Sequence, residues 1–215
     1  GYQDKRITDW DAGMYYRFLF SDGSSVSGSF LRWDYTYLFD DFDPTNKYAP
    51  GSKILNTGEK YTYFNNRINF FTSSRYKLVT SITGRFGEFY NGKVFSLASN
   101  LSFRVQPYSV ISLSVNYNRL RFPQGYSDAD YWIISPRTEF TFTKNLFWTT
   151  FFQYNNQINN FNINSRFQWR FKPLSDIFLV YTSNYFSDPV NMNQYDRLDI
   201  KNKALVLKFN YWINI

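Results

Sequence analysis

The sequence predicts an all-β protein, a transmembrane antiparallel up-and-down β-barrel with about 11 or 12 visible strands. Aromatic residues make up 23% of the 215 residues, yet the mean hydropathy is only −0.47. Apolar and polar residues alternate through many segments, as in 161–171, where mostly Phe, Ile and Trp alternate with Asn, Gln and Arg. A period of two indicates strands with two different faces. No run of about 18 apolar residues occurs, which excludes a transmembrane helix but leaves membrane-crossing strands open.

We expect eleven strands, most of them about 11 to 14 residues long, which is enough to cross a bilayer at a tilt. Segments 93–105, 109–120 and 202–214 show the same alternation, whereas 146–156 is less regular because Phe147 and Phe151 fall on its otherwise polar face. The predicted strands, in order, are 10–20, 26–39, 61–71, 76–87, 93–105, 109–120, 131–142, 146–156, 160–171, 176–186 and 202–214.

Polar connections separate these strands. Short ones alternate with mostly longer ones, an arrangement typical of outer-membrane barrels, whose short turns lie on the periplasmic side. Pro136 falls inside a predicted strand, and its missing N–H predicts a bulge, a local edge or a different strand boundary. The short connections are 21–25, 72–75, 106–108, 143–145 and 172–175, and the others are 40–60, 88–92, 121–130, 157–159 and 187–201.

An odd number of strands has a topological consequence. The first and eleventh strands would run in the same direction, so they could not pair antiparallel, and bacterial single-chain barrels have even strand numbers. We therefore expect either a strand hidden within residues 1–9 or 40–60, or further strands upstream of Gly1. The second interpretation is favoured, and it makes 1–215 an outer-membrane β-barrel domain at the C-terminal end of a longer, even-stranded barrel protein.

The residue types present exclude several kinds of chemistry. The sequence contains no Cys and no His, which removes disulfides, thiol chemistry, His-based triads and His metal sites. Nothing places two carboxylates together, so we expect neither enzymatic activity nor a cofactor. The net charge of +7 permits contact with anions, but no Lys/Arg block typical of nucleic-acid binding occurs. The acids Asp40, Asp41 and Asp43, with Asn46, lack the spacing of a calcium loop, so no metal site is predicted.

Aromatic residues near the strand ends suit the headgroup level of a membrane, where Tyr and Trp accumulate. The chain also finishes on an alternating apolar strand, as outer-membrane barrels typically do, and their assembly machinery recognises that strand. The predicted lipid-facing or girdle aromatics are Trp33, Tyr35, Trp148, Phe167, Trp169 and Tyr211. The predicted assembly signal consists of Phe209, Tyr211, Ile213 and Ile215.

The opposite face of the strands is rich in bases, and only a few acids, chiefly Asp34 and Glu139, accompany them. Either this face lines a positive lumen that favours anionic solutes, or it is packed with hydrogen bonds, and the second interpretation is favoured. Arg119 falls on the lipid face, where with Arg121 and Lys93 it would meet lipopolysaccharide phosphates or simply extend to the interface. The predicted lumen-facing bases are Arg17, Arg32, Arg67, Arg85, Arg104, Arg137, Arg166, Arg170 and Lys208.

Segments 147–185 and 201–215 resemble the C-terminal barrel of a Bacteroidota outer-membrane family. The most specific part is a strand, the turn RFKPLSD and the strand IFLVYT; family members more often have Gly where this chain has Leu174. The resemblance implies the outer membrane of a Gram-negative cell and an N-terminal domain like the family-9 carbohydrate-binding modules. It implies no established activity and supplies no catalytic residues.

The sequence therefore predicts an outer-membrane barrel that anchors an upstream carbohydrate-binding-like module or serves as a subunit of an envelope complex. The alternative is a porin-like or uptake channel whose basic lumen passes anionic or sugar solutes, and a soluble β-sandwich is a third, less favoured interpretation. The expected partners are outer-membrane lipid and lipopolysaccharide, the barrel assembly machinery and other envelope proteins. Nucleic acid is not expected to be a partner.

Overall fold

The computed structural model describes residues 2–3, 6–45, 51–186 and 199–213. Eleven antiparallel strands form one up-and-down sheet, in which each strand lies beside its neighbours in sequence. The predicted all-β antiparallel fold is therefore confirmed. No helix among the described residues is long and apolar enough to cross a membrane.

The strand boundaries agree with the predicted ones to within four residues at every end. Two short strands, β1 (Tyr2–Gln3) and β2 (Arg6–Ile7), pair with each other and precede the sheet. The strands of the sheet are β3 (Asp9–Leu19), β4 (Ser25–Tyr37), β5 (Lys60–Phe71), β6 (Leu78–Phe89), β7 (Gly92–Val105), β8 (Ser109–Arg121), β9 (Ala129–Thr143), β10 (Leu146–Asn155), β11 (Asn160–Lys172), β12 (Ser175–Phe186) and β13 (Asp199–Asn210).

The sheet has the predicted eleven strands, with β3 and β13 at its edges. The β1–β2 hairpin is not part of it. Within the described residues between β4 and β5, the chain adds isolated bridges, Phe42 to Leu55 and Lys53 to Tyr126, rather than a strand. Residues 1–9 thus contain two short strands that the sequence did not predict, but in the described residues neither region adds a strand to the sheet, which keeps an odd number of strands.

The connection between β6 and β7 is shorter than predicted. β6 ends at Phe89 and β7 begins at Gly92, so only Tyr90 and Asn91 join them. Tyr90 has a φ of 53°, which costs energy for a residue with a side chain. Its ring contacts those of Tyr61 and Phe89, with centroids 5.4 and 4.7 Å away. Aromatic packing therefore holds a tight turn that alternation alone did not reveal.

β9 runs straight through Pro136. On one side of the proline Arg137 pairs with Phe151 of β10, and on the other side Ile134 pairs with Tyr154. The register between the two strands is therefore the same on both sides of the proline. The register shift in this strand pair lies at Leu146 and Phe147 instead. The bulge expected at Pro136 is thus not found on the β10 side, and Pro136 lies within the strand.

The chain divides into two compact units, of which the first comprises 1–74, 80–99 and 116–131. Within it, the strand registers align Phe18, Val26, Phe70 and Ile82 in one row across β3 to β6. A small buried cluster forms separately, where Val94, Leu120 and Ala129 pack with Phe89, Phe122 and Tyr131.

The second unit comprises 75–79, 100–115 and 132–215. One row of apolar side chains runs across its five strands β9 to β13, and we name it the apolar row. It consists of Phe140, Trp148, Phe167, Leu179 and Leu207, which occupy directly paired positions. The last four are exposed, from 38% for Trp148 to 72% for Leu207. The chain therefore places a continuous apolar band on one face without covering it.

Candidate functional site

The polar face of the first unit brings together bases that are far apart in sequence. The registers of β3 to β6 align Tyr15, Ser29, Arg67 and Arg85 in a row, which we name the polar row. Because side chains at alternate positions share a face, Arg17 lies on this face too, in the adjacent row. These are three of the bases that the alternation assigned to one face.

Arg32 lies on the same face but is neutralised by acids. Its Nη2 donates to Oδ1 of Asp34 at 2.9 Å, and the same nitrogen lies 3.6 Å from Oδ2 of Asp11. The other oxygen of Asp34 accepts a hydrogen bond from Nδ2 of Asn65. Both oxygens of Asp34 are therefore engaged, and Arg32 holds the polar face together rather than offering a free charge.

Arg67 and Arg85 differ from Arg32 because they face each other directly across β5 and β6. Within the described part of the chain, neither forms an ion pair. Nε of Arg85 is buried without a hydrogen-bond partner, and so is Oγ of Ser29, two strands away in the polar row. The Arg85 guanidinium carbon lies 5.2 Å from the centre of the Phe89 ring. Like charges opposite each other destabilise a sheet, so this pair needs a compensating group.

A cavity of about 150 Å³ adjoins these two arginines. Its lining contains no carboxylate. Leu97 and Ala98 line part of the space, and its polar groups are cations, amides and hydroxyls. Amides and hydroxyls donate as well as accept hydrogen bonds, whereas guanidinium groups only donate. The site is therefore suited to an anion. Its polar lining residues are Arg67, Thr83, Arg85, Ser96, Asn116 and Asn118.

Sequence reasoning assigned Arg67 and Arg85 to one face but did not bring them together. Nor did it single out Ser29 or Thr83, which lack charge and carry no motif. The signal that would have found the site is the register between β5 and β6, which depends on the length of one turn.

A second cluster surrounds Asp130 near the end of β8. Its Oδ1 accepts from Tyr117 at 2.8 Å and from Nε of Arg119 at 3.3 Å, and its Oδ2 lies 2.5 Å from Nη2 of Arg121. Asp128 adds a weaker contact to Arg121 at 3.6 Å. The two arginines expected to meet lipopolysaccharide phosphates thus share carboxylates of their own chain, which lowers their capacity to attract an external phosphate.

In the second unit, two of the predicted lumen-facing bases are paired with acids. Nη2 of Arg137 lies 2.7 Å from Oε1 of Glu139, and Nε of Arg170 lies 3.3 Å from Oδ1 of Asp176. The Arg170 guanidinium also lies 5.7 Å from the ring centre of Phe147. These contacts resemble the packed, hydrogen-bonded arrangement that the sequence favoured over an open basic surface.

The other three bases of this unit form no ion pair in the described part of the chain. Arg166 in β11 lies opposite Val180 of β12, and Lys208 in β13 lies opposite Phe178. Arg104 lies in β7, where its backbone N–H donates to the carbonyl of Lys77 at 2.8 Å. Arg166 is exposed and is the clearest free cation of this group.

The predicted girdle aromatics pack against other rings on the sheet. The Trp33 ring centre lies 5.3 Å from that of Phe64, and Tyr35 stacks on Trp10 at 5.9 Å. Trp148 stacks on Phe140 at 5.7 Å within the apolar row. Phe167 belongs to the same row and is 39% exposed, while Trp169, 49% exposed, meets Phe171 at 6.1 Å. Large rings thus contact one another and remain partly exposed.

The described part of the C-terminal segment continues this pattern. Phe209 and Tyr211 stack with their rings nearly parallel, and Nζ of Lys172 donates to the Tyr211 hydroxyl at 3.1 Å. Ile213 is 67% exposed. Ile215, the last residue of the predicted assembly signal, lies outside the described residues.

The acids of the loop after β4 serve local bonds. Asp43 accepts from the backbone N–H and the hydroxyl of Thr45, and Asp41 accepts from the N–H of Thr57 at 2.8 Å. Asn46 lies outside the described residues. In the part of the chain that the structure describes, no three acidic side chains form a group able to hold a metal ion.

The fold and site together define an antiparallel β-sheet protein with one apolar face and one arginine-rich polar face. No protein-family model matches the chain, and a search of curated proteins finds no match either. The resemblance of 147–185 and 201–215 to a Bacteroidota outer-membrane family therefore stays a prediction.

Proposed function

We propose that this sheet forms the wall of a β-barrel in the outer membrane of a Gram-negative cell, where it acts as an anchor or as a subunit of an envelope complex. The apolar row carries this proposal, because Phe140, Trp148, Phe167, Leu179 and Leu207 present a band of side chains suited to hydrocarbon. A water-facing sheet with such a band would be prone to aggregate. In lipid, the same band becomes a source of stability.

The strand lengths support a membrane-spanning wall. The strands of the sheet contain 10 to 15 residues, with 12 in β5, β6, β12 and β13. A strand of 12 residues is about 40 Å long and, tilted by about 45°, spans roughly 28 Å, close to the thickness of a hydrocarbon core. Lipid also requires every backbone polar group to be paired, which an antiparallel sheet achieves except at its edges.

The ion pairs on the polar face favour an anchor over an open channel. Arg32, Arg137 and Arg170 all contact acids of their own chain. Such contacts hold these charges in fixed bonds instead of leaving them free for solutes. The resemblance described above adds the idea of a carbohydrate-binding-like module, which such an anchor would hold at the cell surface.

Two arginine substitutions in β12 test the membrane proposal. Leu179 belongs to the apolar row, whereas Thr182, three positions further along, lies on the other face and accepts a hydrogen bond from Asn164. Leu179→Arg should weaken insertion into phospholipid vesicles by about 2 to 4 kcal/mol, the cost of a cation near the bilayer midplane. Thr182→Arg should insert nearly as well as the unmodified chain. Insertion is measured by flotation after an alkaline wash, and equal flotation of both variants would contradict the proposal.

A channel for anionic solutes is the second candidate, favoured by the free cations Arg67, Arg85 and Arg166. Conductance of the protein in planar bilayers tests it. An anion-selective current that Arg166→Glu reduces would support the channel, because an exposed cation beside a water-filled path attracts anions. Bilayers that stay sealed would support the anchor. Arg137→Gln is the control, since Arg137 is already paired with Glu139.

A further inference from the structure

We propose that Arg67 and Arg85 form a binding site for a small oxyanion, with phosphate as the simplest ligand of this chemistry. The site goes beyond the proposed membrane role, because it needs neither an open passage nor a lipid environment. All of its residues belong to the first compact unit.

The local charge balance favours an anion at this position. Arg67 and Arg85 occupy directly opposite positions in β5 and β6, where side chains start only about 5 Å apart. Asp34, an acid on the same face, is already engaged by Arg32 and Asn65. Two adjacent cations without an acid repel each other, and an anion between them turns that repulsion into attraction.

An unsatisfied polar atom also points to a ligand. Nε of Arg85, a residue of the cavity lining, is buried and lacks a hydrogen-bond partner. A buried donor without a partner is costly, so this atom marks a place where a ligand or water completes the bonding. The packing of Arg85 over Phe89 fixes its guanidinium in place, which lowers the entropy lost when a ligand binds.

The size and chemistry of the cavity also suit an oxyanion. Its volume of about 150 Å³ has room for a small ion. Asn116, Asn118, Ser96 and Thr83 supply uncharged donors around the two arginines, and no carboxylate faces the space. Guanidinium groups bind oxyanions through paired, charge-assisted N–H···O bonds. A tetrahedral oxyanion has enough oxygens to engage two guanidinium groups together, which chloride has not.

The test measures phosphate binding to the folded chain in zwitterionic detergent micelles by isothermal titration calorimetry. Arg67→Gln and Arg85→Gln should each weaken binding by at least about tenfold, the expected loss of one charge-assisted contact. Arg17→Gln is the matched control, since Arg17 lies on the same face of the same unit but outside the cavity lining. The phosphate affinity of Arg17→Gln should lie within about twofold of that of the unmodified chain.

Three outcomes would overturn the proposal: no phosphate binding, equal binding of phosphate and chloride, or an equal loss in all three variants, which would indicate general charge attraction. Asn116→Asp guards against misfolded arginine variants, because it preserves side-chain shape while adding a negative charge to the cavity. It should abolish binding while leaving the β-sheet circular dichroism spectrum unchanged. The membrane proposal is tested separately by flotation, so failure of one leaves the other standing.

Discussion

Leu174 lies in the two-residue turn between β11 and β12 with a φ of 58°, a left-handed conformation that strains residues carrying a Cβ. The resembled family more often has Gly in this turn, and the observed φ gives the physical reason. We expect Leu174→Gly to raise the free energy of unfolding by about 0.5 to 1 kcal/mol, because relief of strain of about 1 to 2 kcal/mol exceeds the entropy that glycine adds to the unfolded chain. Urea unfolding in micelles measures the change.

The matched control at this position is Leu174→Ala. The Leu174 side chain is 67% exposed, so alanine removes little packing but keeps the Cβ that causes the strain. We expect this variant to unfold at the same urea concentration as the unmodified chain. A gain in stability equal to that of the glycine variant would show that the side chain, not the backbone, was responsible.

Glu59 precedes β5 and accepts hydrogen bonds from the Tyr61 hydroxyl and from the backbone N–H of Asn56. These bonds, the Tyr61 bond foremost, hold the pKa of Glu59 below its ordinary value. The unfolded carboxyl therefore takes up a proton at higher pH than the folded one. Its stabilising effect is complete above the unfolded pKa and is lost as the pH falls through the folded pKa.

We expect the backbone N–H of Asn56 to exchange faster in acid than its intrinsic chemistry predicts, and hydrogen exchange followed by mass spectrometry measures this. In Glu59→Gln the pH dependence of Asn56 exchange should weaken, because glutamine keeps a hydrogen-bond acceptor but does not titrate. An unchanged pH response in Glu59→Gln would contradict the role of Glu59.

The candidate site shows where sequence reasoning about single residues stopped. Alternation assigned Arg67 and Arg85 to the polar face, but their meeting depends on the register between β5 and β6. The predicted turn, 72–75, would have placed Arg67 opposite Thr80. The actual connection runs from 72 to 77 and is closed by a bond from the N–H of Thr72 to the carbonyl of Thr80. The nearest pair across the connection is Phe71 with Ser81, which shifts the register by five residues from the predicted one and brings Arg67 opposite Arg85.

Strands were predictable because each one repeats its own two-residue period over about twelve residues. Their boundaries depended on local contacts that alternation does not encode. The connection between β6 and β7 is shorter than predicted, and ring contacts of Tyr90 stabilise it. β9 continues through Pro136 although proline removes a backbone donor. The sequence therefore predicted the elements and their order well, but not the shifts that align one strand with the next.

Gly28 is a point of close approach between β4 and β5. A Cβ there would lie 2.1 Å from the carbonyl oxygen of Arg67 and 2.7 Å from the hydroxyl of Tyr16. The backbone cannot yield without moving β5, so we expect Gly28→Ala to lower the free energy of unfolding by about 1 to 3 kcal/mol. Because Arg67 would shift with its strand, this variant should also bind phosphate more weakly. Urea unfolding and calorimetry measure the two effects.

Gly84 in β6 provides the control for this substitution. A Cβ there would first meet Cγ2 of Ile68, a side-chain atom 3.3 Å away. That methyl group can move by a few tenths of an ångström, and alanine reduces the freedom of the unfolded chain. We expect Gly84→Ala to be neutral or slightly stabilising. A loss as large as that of Gly28→Ala would mean that glycine is needed for flexibility rather than for close strand approach.

The direction of the strands limits how the whole sheet can close. β3 and β13 are its two edges and, being the first and last of eleven alternating strands, they run the same way. In the proposed membrane wall, a second copy related by rotation about the membrane normal would bring β13 beside β3 in parallel, unlike every other neighbour in the sheet. Antiparallel closure instead requires an odd number of additional strands between the two edges. A wall with free edges is costly in lipid, because edge N–H and C=O groups lack partners.

Hydrogen exchange of these 215 residues in micelles reveals whether the two edges are free. About half of the amides of an edge strand point away from its single neighbour, so β3 and β13 should lose protection well before β4 and β11, which are paired on both sides. Comparing β3 with β4 and β13 with β11 keeps each comparison between nearby strands. Equal protection of edge and inner strands would show that both edges are already paired. Selective protection of β3 and β13 on adding a chain that supplies further strands would show that this sheet is one segment of a larger closed wall.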